Sequence, residues 1–151
     1  MKIGYIGASG LMGHGMAKNL LAKGQQLSIT VHKQRDRVQD LLDAGAQLVA
    51  TPADLGAQCD VVLVCVTGSP QVEAVVSGPS GLLTHAKAGL VIVDCSTSEP
   101  ASTAQLRELA HAKGVTWWMR RSRVPLSRPR QAGSTSWWAR ALTCLPSSNL
   151  F

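Results

Sequence analysis

Three glycines, Gly7, Gly10 and Gly13, follow the short apolar run Ile3-Gly4-Tyr5-Ile6 and lead into Met16-Ala17-Lys18-Asn19-Leu20. Glycines placed there let a backbone turn sharply and approach a ligand, and the amides that open the next helix stabilise negative charge. The chemistry within reach is to hold a pyrophosphate. The spacing is G-x-x-G-x-x-G, whereas G-x-G-x-x-G would need glycine at Ala8. Glycines alone are a weak signal, since a turn that merely packs a helix on a strand uses the same residues. Other reactive groups are sparse. His14, His32, His85 and His111 fall in expected helices or turns with no partner acid and read as surface groups. Cys65 and Cys95 sit in apolar runs, where a thiol packs as a small core residue, and the four cysteines show no disulfide framework and no metal-ligand spacing.

The elements that must position the turn alternate along the chain. Met12, Met16, Leu20 and Leu21 fall on one helical face, and Gly24 supplies a stop. Leu27 to Val31 alternates as a strand, Asp36 to Ala44 reads as a helix with Val38, Leu41 and Leu42 inward, and Ala46 to Ala50 reads as a third strand. Thr51-Pro52 puts a capping side chain before a helix-opening proline. Val61 to Val66 is a continuous apolar run, as a central strand covered on both faces should be. A helix over 71–76, a buried strand over 90–94 and a helix from Pro100 to about Lys113 follow. Strands and helices in this alternation predict an α/β fold with a doubly wound parallel sheet and ligands at the carboxyl ends of its strands.

Charge divides the chain in two. Residues 1–116 carry nine Lys/Arg and nine Asp/Glu, so the whole net charge of +6 comes from the six arginines of residues 117–151, a stretch that also holds all four tryptophans and has no acid. A basic, aromatic-interleaved tail is a form that binds single-stranded nucleic acid or a membrane surface. Out-of-frame GC-rich DNA yields the same Arg, Ser, Pro and Trp, and that is the reading preferred here. The start lacks the apolar segment and cleavage site of a signal peptide, and no run approaches the ~20 apolar residues of a spanning helix. A cytoplasmic address is the expectation.

The stretch Ile6-Gly7-x-x-Gly10-x-Met12-Gly13-x-x-Met16-Ala17-x-Asn19-Leu20 closely resembles the opening of the 3-hydroxyisobutyrate dehydrogenase-like β-hydroxyacid dehydrogenases, whose cofactor domain is related to that of 6-phosphogluconate dehydrogenase. The resemblance continues through Asp60-Val61-Val62, Gly81-Leu82-Leu83 and Asp94-Cys95-Ser96-Thr97-Ser98-Glu99-Pro100, over residues 1–116. Extended short-chain dehydrogenases share the glycine spacing, but they use a Tyr-x-x-x-Lys pair, and the one tyrosine here is Tyr5 in the first strand. The resemblance implies a Rossmann-like domain in which Gly7, Ala8, Gly10, Leu11, Met12 and Gly13 line the pyrophosphate, with the methyl of Ala8 weakening or shifting that contact. It places Val66 and Thr67 on the cofactor ribose and Thr97 near the nicotinamide. Ser96 and Thr97 read equally well as caps of the next helix. After the second strand, His32-Lys33-Gln34-Arg35 offers cations for a 2′-phosphate where NAD would want an acid. NADP is therefore the expected cofactor, with NAD the alternative; Asp36 reads as a helix cap.

Past Thr116 the resemblance stops. Trp117-Trp118-Met119-Arg120, read from the third base of the first tryptophan codon, permits Val-Asp-Ala-Pro, the family's next landmark. Gln131 to Arg140 in the same shifted frame permits Gly-Arg-Leu-Asn-x-Met-Val-Gly, a second landmark. A single-base shift near Thr116–Trp117 explains both. The expected molecule is then an incomplete Rossmann domain over 1–116 that lacks its sixth strand, followed by a disordered tail over 117–151 that is foreign to the family. The family's proton-transferring lysine, its helical second domain and its dimer interface have no counterpart, because no lysine follows Lys113. A small β-hydroxyacid would be a substrate only of an intact homologue. The chain as written reads as catalytically inactive, or alternatively as a non-catalytic NADP-binding module.

Overall fold

A computed structural model describes residues 1–32 and 35–119. Six strands form one parallel sheet in the order β3-β2-β1-β4-β5-β6, with β1 over Ile3–Ile6, β2 over Leu27–Thr30, β3 over Gln47–Leu48, β4 over Val61–Val64, β5 over Val91–Asp94 and β6 over Thr116–Met119. The connecting helices are α1 (Leu11–Ala22), α2 (Gln39–Asp43), α3 (Pro52–Gln58), α4 (Ser69–Ser77) and α5 (Pro100–Ala112). The order reverses between β1 and β4, which pair Ile3 with Val61 and Ile6 with Val64, so a crevice opens beyond the carboxyl ends of these two strands. This is the expected doubly wound architecture. Among the described residues no helix is long and apolar enough to cross a membrane.

Alternation along the strands decides which helix covers which face. Ile6, Val62, Val64, Ile92 and Trp117 bury one face against Leu55 of α3, Val72 and Val76 of α4, and Leu106 and Ala110 of α5. Tyr5, which points the other way in β1, lies under α1 and donates its hydroxyl to Met16 Sδ at 3.5 Å. The continuous apolar run of β4 is buried at all four positions, as two-sided burial requires. Thr51 and Asp54 form a reciprocal capping box that opens α3, with Pro52 in its first turn, as the Thr51-Pro52 pair predicts.

Several expectations need correction. The inward face of α1 is Gly13, Ala17 and Leu20, while Met12 is 71% and Leu11 98% exposed. The helix is rotated away from the face that the methionines suggested because Gly13, having no side chain, is the residue that can lie against the turn. The segment expected as one helix over 36–44 breaks into a 3-10 turn at Arg35–Val38 and the short α2. The third strand shrinks to two exposed residues.

The larger correction is at the far edge. The sheet does not lose its sixth strand: Thr116–Met119 pairs in parallel with β5 over four residues, from Val91↔Thr116 to Asp94↔Met119. Its physical basis is local. Val115, Thr116 and two tryptophans are strong strand formers, and their alternation sends Val115 and Trp117 into the core while Trp118 stays 42% exposed. One compact unit runs from Met1 to Arg120. The disordered-tail reading, for residues 120–151, lies outside the described residues, as does Lys33.

Candidate functional site

The glycine turn is built by contacts inside the protein. Gly7 has φ +96, and a Cβ there would run into the Cys65 carbonyl oxygen beyond β4; a Cβ on Gly13 would run into the carbonyl oxygen of Gly7. These two positions accept only glycine, for turning and for close helix–strand packing respectively. Gly10 differs, since a Cβ there would lie 3.3 Å from the Gly7 oxygen and meets nothing else. That contact is tight but not the clash met at Gly7 and Gly13, and an approaching ligand would add its own demand for glycine. Ala8 is fully buried. Its methyl points into the protein and stands clear of a ligand arriving from solvent.

The start of α1 completes an anion cradle. Gly10 N-caps the helix without a side-chain partner, and the first turn holds no acid. The first helical bond runs from His14 N to Gly10 O at 2.7 Å, which leaves the amides of Leu11, Met12 and Gly13 facing outward with the positive end of the helix dipole. Closely packed Gly7 and Gly13 behind, an uncapped helix in front and a bare Gly10 between them fit a pyrophosphate. His14 has a partner acid after all: Nε2 lies 2.8 Å from Asp40 Oδ1 on α2, and Lys18 Nζ lies 3.5 Å from Asp40 Oδ2. The His14 hydrogen bond, then Lys18, holds the Asp40 carboxyl below its usual value. No sequence rule reveals a contact between two helices twenty-six residues apart.

Beside the cradle lies a cleft of about 540 Å³, lined by Ile6, Gly7 and Ser9 from the turn, Thr30, Val31 and His32 after β2, Ala50 and Pro52 after β3, and Val66, Gln71, Ala74 and Val75 from the β4–α4 segment. Of the residues nominated from sequence it gathers Gly7, His32 and Val66. Gly10, Leu11, Met12, Thr67 and Thr97 are exposed outside it. The wall formed by Gln71, Ala74 and Val75 was not foreseen, although its i, i+3, i+4 spacing places it on one face of α4. At its mouth His32 is exposed, where a group carried by a nucleoside in the cleft would emerge.

At the far side of Val66 the structure excludes the capping reading of Ser96 and Thr97. The N-cap of α5 is Glu99, with no side-chain cap, so neither residue caps that helix. Ser96 Oγ instead accepts the Val66 N–H at 3.0 Å. The Val66 amide is thereby occupied, and its carbonyl and side chain remain for a ligand. The Cys65 thiol, half-buried just beyond β4, is pushed up by burial, which argues against a reactive thiolate. Among the described residues no cluster of His, Cys, Asp or Glu could hold a metal ion.

Comparison with known proteins agrees with this geometry. The sequence model of the NAD binding domain of 6-phosphogluconate dehydrogenase matches residues 2–119. The chain is 36% identical over 120 residues to 2-(hydroxymethyl)glutarate dehydrogenase of Eubacterium barkeri, covering 78% of this chain and 38% of that protein. It is 33% identical over 115 residues to the mitochondrial 3-hydroxyisobutyrate dehydrogenase of Bos taurus, covering 76% and 34%. It is also 33% identical over 113 residues to the cytokine-like nuclear factor N-PAC of Xenopus tropicalis, covering 75% and 21%. A solved structure of Psf3 in complex with NADP+ and 2-OPP superposes with a TM-score of 0.70 at 28% identity, over 76% of this chain and 40% of that one. The chain thus spans less than half the length of these relatives. The resemblance noted in the sequence is borne out, and the domain is an NAD(P)-binding one. With the glycine cradle, the strand order and residues 2–119 all in agreement, the chain belongs to the family of 6-phosphogluconate dehydrogenase-type NAD-binding domains.

Proposed function

We propose that this chain is the cofactor-binding part of a β-hydroxyacid dehydrogenase, that it prefers NADP to NAD, and that alone it binds the dinucleotide without turning over a substrate. The observation that carries the reading is the cradle: Gly7 and Gly13 locked by internal contacts, with Gly10 and the α1 amides left open beside a nucleoside-sized cleft. Gly7, Gly10, Leu11, Met12 and Gly13 hold the pyrophosphate through backbone amides and close approach, with Ala8 behind them. Val66 and Thr67 flank the ribose on the β4 side, and Thr97 borders the nicotinamide. The bound nicotinamide would accept or donate a hydride. The proton of a substrate hydroxyl needs a group from beyond residues 1–119.

Preference for NADP rests on His32 at the cleft mouth and on Lys33 next to it in sequence. A sheet without its sixth strand would leave apolar surface uncovered and favour aggregation; with β6 in place, binding by a folded domain is the expectation. A reducing, cytoplasmic setting fits the free thiols of Cys59 and Cys65. A nucleic-acid partner is disfavoured because the positive and negative charges of residues 1–116 balance.

One observation favours a second reading, a non-catalytic NADP-binding module: a relative of equal similarity is named as a nuclear factor rather than as an enzyme. Titration of the purified chain with NADPH and NADH, followed by assay with 3-hydroxyisobutyrate, tests both. Saturable binding without turnover supports the binding role, turnover contradicts inactivity, and absence of binding by folded protein contradicts both readings.

A further inference from the structure

The loops after β4 and β5 are tied together by side chains rather than by the sheet. The ladder between these strands ends with Cys95 N–H on the Val64 carbonyl at 2.8 Å. The next amide in register, that of Val66, donates to Ser96 Oγ at 3.0 Å, and Ser96 Oγ lies 3.5 Å from the Val64 carbonyl. A serine hydroxyl therefore substitutes for a ladder acceptor just where the two chains diverge. A second tie lies one turn further out, where Glu99 N–H donates to Ser69 Oγ at 2.8 Å. Beside the first tie sits the Asp94 carboxylate, fully buried. It accepts the Ser96 N–H on Oδ1 at 2.9 Å and the Ser98 hydroxyl on Oδ2 at 3.3 Å. Between the two ties the loops run side by side, with the Thr97 carbonyl 4.0 Å from the position of a Cβ on Gly68. Of the tied residues only Val66 borders the cleft described above; Ser69, Asp94, Ser96 and Glu99 do not line it.

We propose that Ser96, anchored through its backbone on Asp94, and Ser69 are positioning residues that set the separation of the Thr67 and Thr97 loops and so fix the nicotinamide half of a dinucleotide, leaving its adenosine half to the cleft that Val66 borders. This rests on the reading of the site as a dinucleotide cradle. It follows from chemistry that the two halves are held by different means. The adenosine half meets a wall of strands and helix; the nicotinamide half meets two loops whose spacing two hydroxyls determine. A neutral hydrogen bond lost at a position that orders a loop lowers affinity by roughly one order of magnitude.

The test uses the full chain, the variants Ser96→Ala and Ser69→Ala, and two probes: NADPH, and adenosine 2′,5′-bisphosphate, which lacks the nicotinamide half. Calorimetric titration is expected to show NADPH weakened about tenfold by each substitution, with the bisphosphate unchanged to within about twofold. Parallel weakening of both probes indicates general loosening of the domain and overturns the proposal, as does no change in either. Hydrogen exchange of the Val66 and Glu99 amides without ligand reads the ties directly. Exchange should quicken at Val66 in Ser96→Ala and at Glu99 in Ser69→Ala, and equal exchange in parent and variants overturns the proposal whatever the ligands do. Failure of the unsubstituted chain to bind either probe, while folded, overturns the cradle reading itself and the binding role of the serines with it.

Discussion

Gly10 and Gly13 look alike in sequence and do different work. A methyl on Gly13 has nowhere to go, because the Gly7 carbonyl fills that space; overpacking of this kind costs about 1–3 kcal/mol. A methyl on Gly10 meets only one atom, at 3.3 Å. Gly13→Ala is therefore expected to lower the denaturation midpoint clearly, whereas Gly10→Ala should keep stability within about 1 kcal/mol and weaken NADPH about tenfold; chemical denaturation and calorimetry on both variants check this. Asp60 offers a pH test at the opposite end of the sheet. The Lys87 ammonium at 2.6 Å, then the Lys2 backbone amide, hold its carboxyl below the ordinary value of 3.8. A carboxyl lowered on folding contributes stability that is present above its unfolded value and lost as pH falls through the folded one. Lys87→Met should accordingly be less stable than the parent at neutral pH, with the gap closing below about pH 4 in urea titrations. The gap is small, since both side chains are more than one-third exposed.

At the scale of elements, what periodicity specifies was legible and what packing decides was not. Val61 to Val66 announced a central strand and Thr51-Pro52 a capped helix because their signals are local. The orientation of α1 was not legible from Met12 and Met16, because it is set by the contact of Gly13 with Gly7, a steric fact of two backbones. Ser96 read equally well as a helix cap or a cofactor contact; its bond to Val66 joins residues thirty apart and left no local signal. β6 was misjudged because its tryptophans were assigned to a foreign tail, although Val115, Thr116 and Trp117 alternate as an edge strand should. Trp117 is 9% exposed, and among the described residues its Nε1 has no hydrogen-bond partner. Leaving a donor orphaned costs about 1–3 kcal/mol, which offsets the loss of ring area on substitution. Thermal unfolding of Trp117→Phe should stay within about 1 kcal/mol of the parent, while Trp117→Ala should lose about 3–5 kcal/mol; a large loss in the phenylalanine variant would show that the indole N–H does find a partner.

For the whole molecule, Met1 to Arg120 form one compact unit that holds the cradle. The relatives it matches continue well beyond that length, the chain covering 38% of one dehydrogenase and 34% of another. The two-frame reading of residues 117–140 makes a prediction at this scale. In the shifted frame the methionine of the second landmark needs an A as the last base before Trp137, so Ser136 must be encoded by TCA, and the proline after Val-Asp-Ala needs a C as the last base of the Arg120 codon. Any other codon at either position in the coding DNA refutes the shift. The cradle stands independently of that outcome, since every residue that forms it precedes Thr116. Its most direct test is calorimetric titration of the folded chain with NADPH, with folding verified by circular dichroism in the same sample. One saturable site per chain, reached at lower concentration with NADPH than with NADH, is the predicted result; a folded chain that takes up neither dinucleotide would contradict the account.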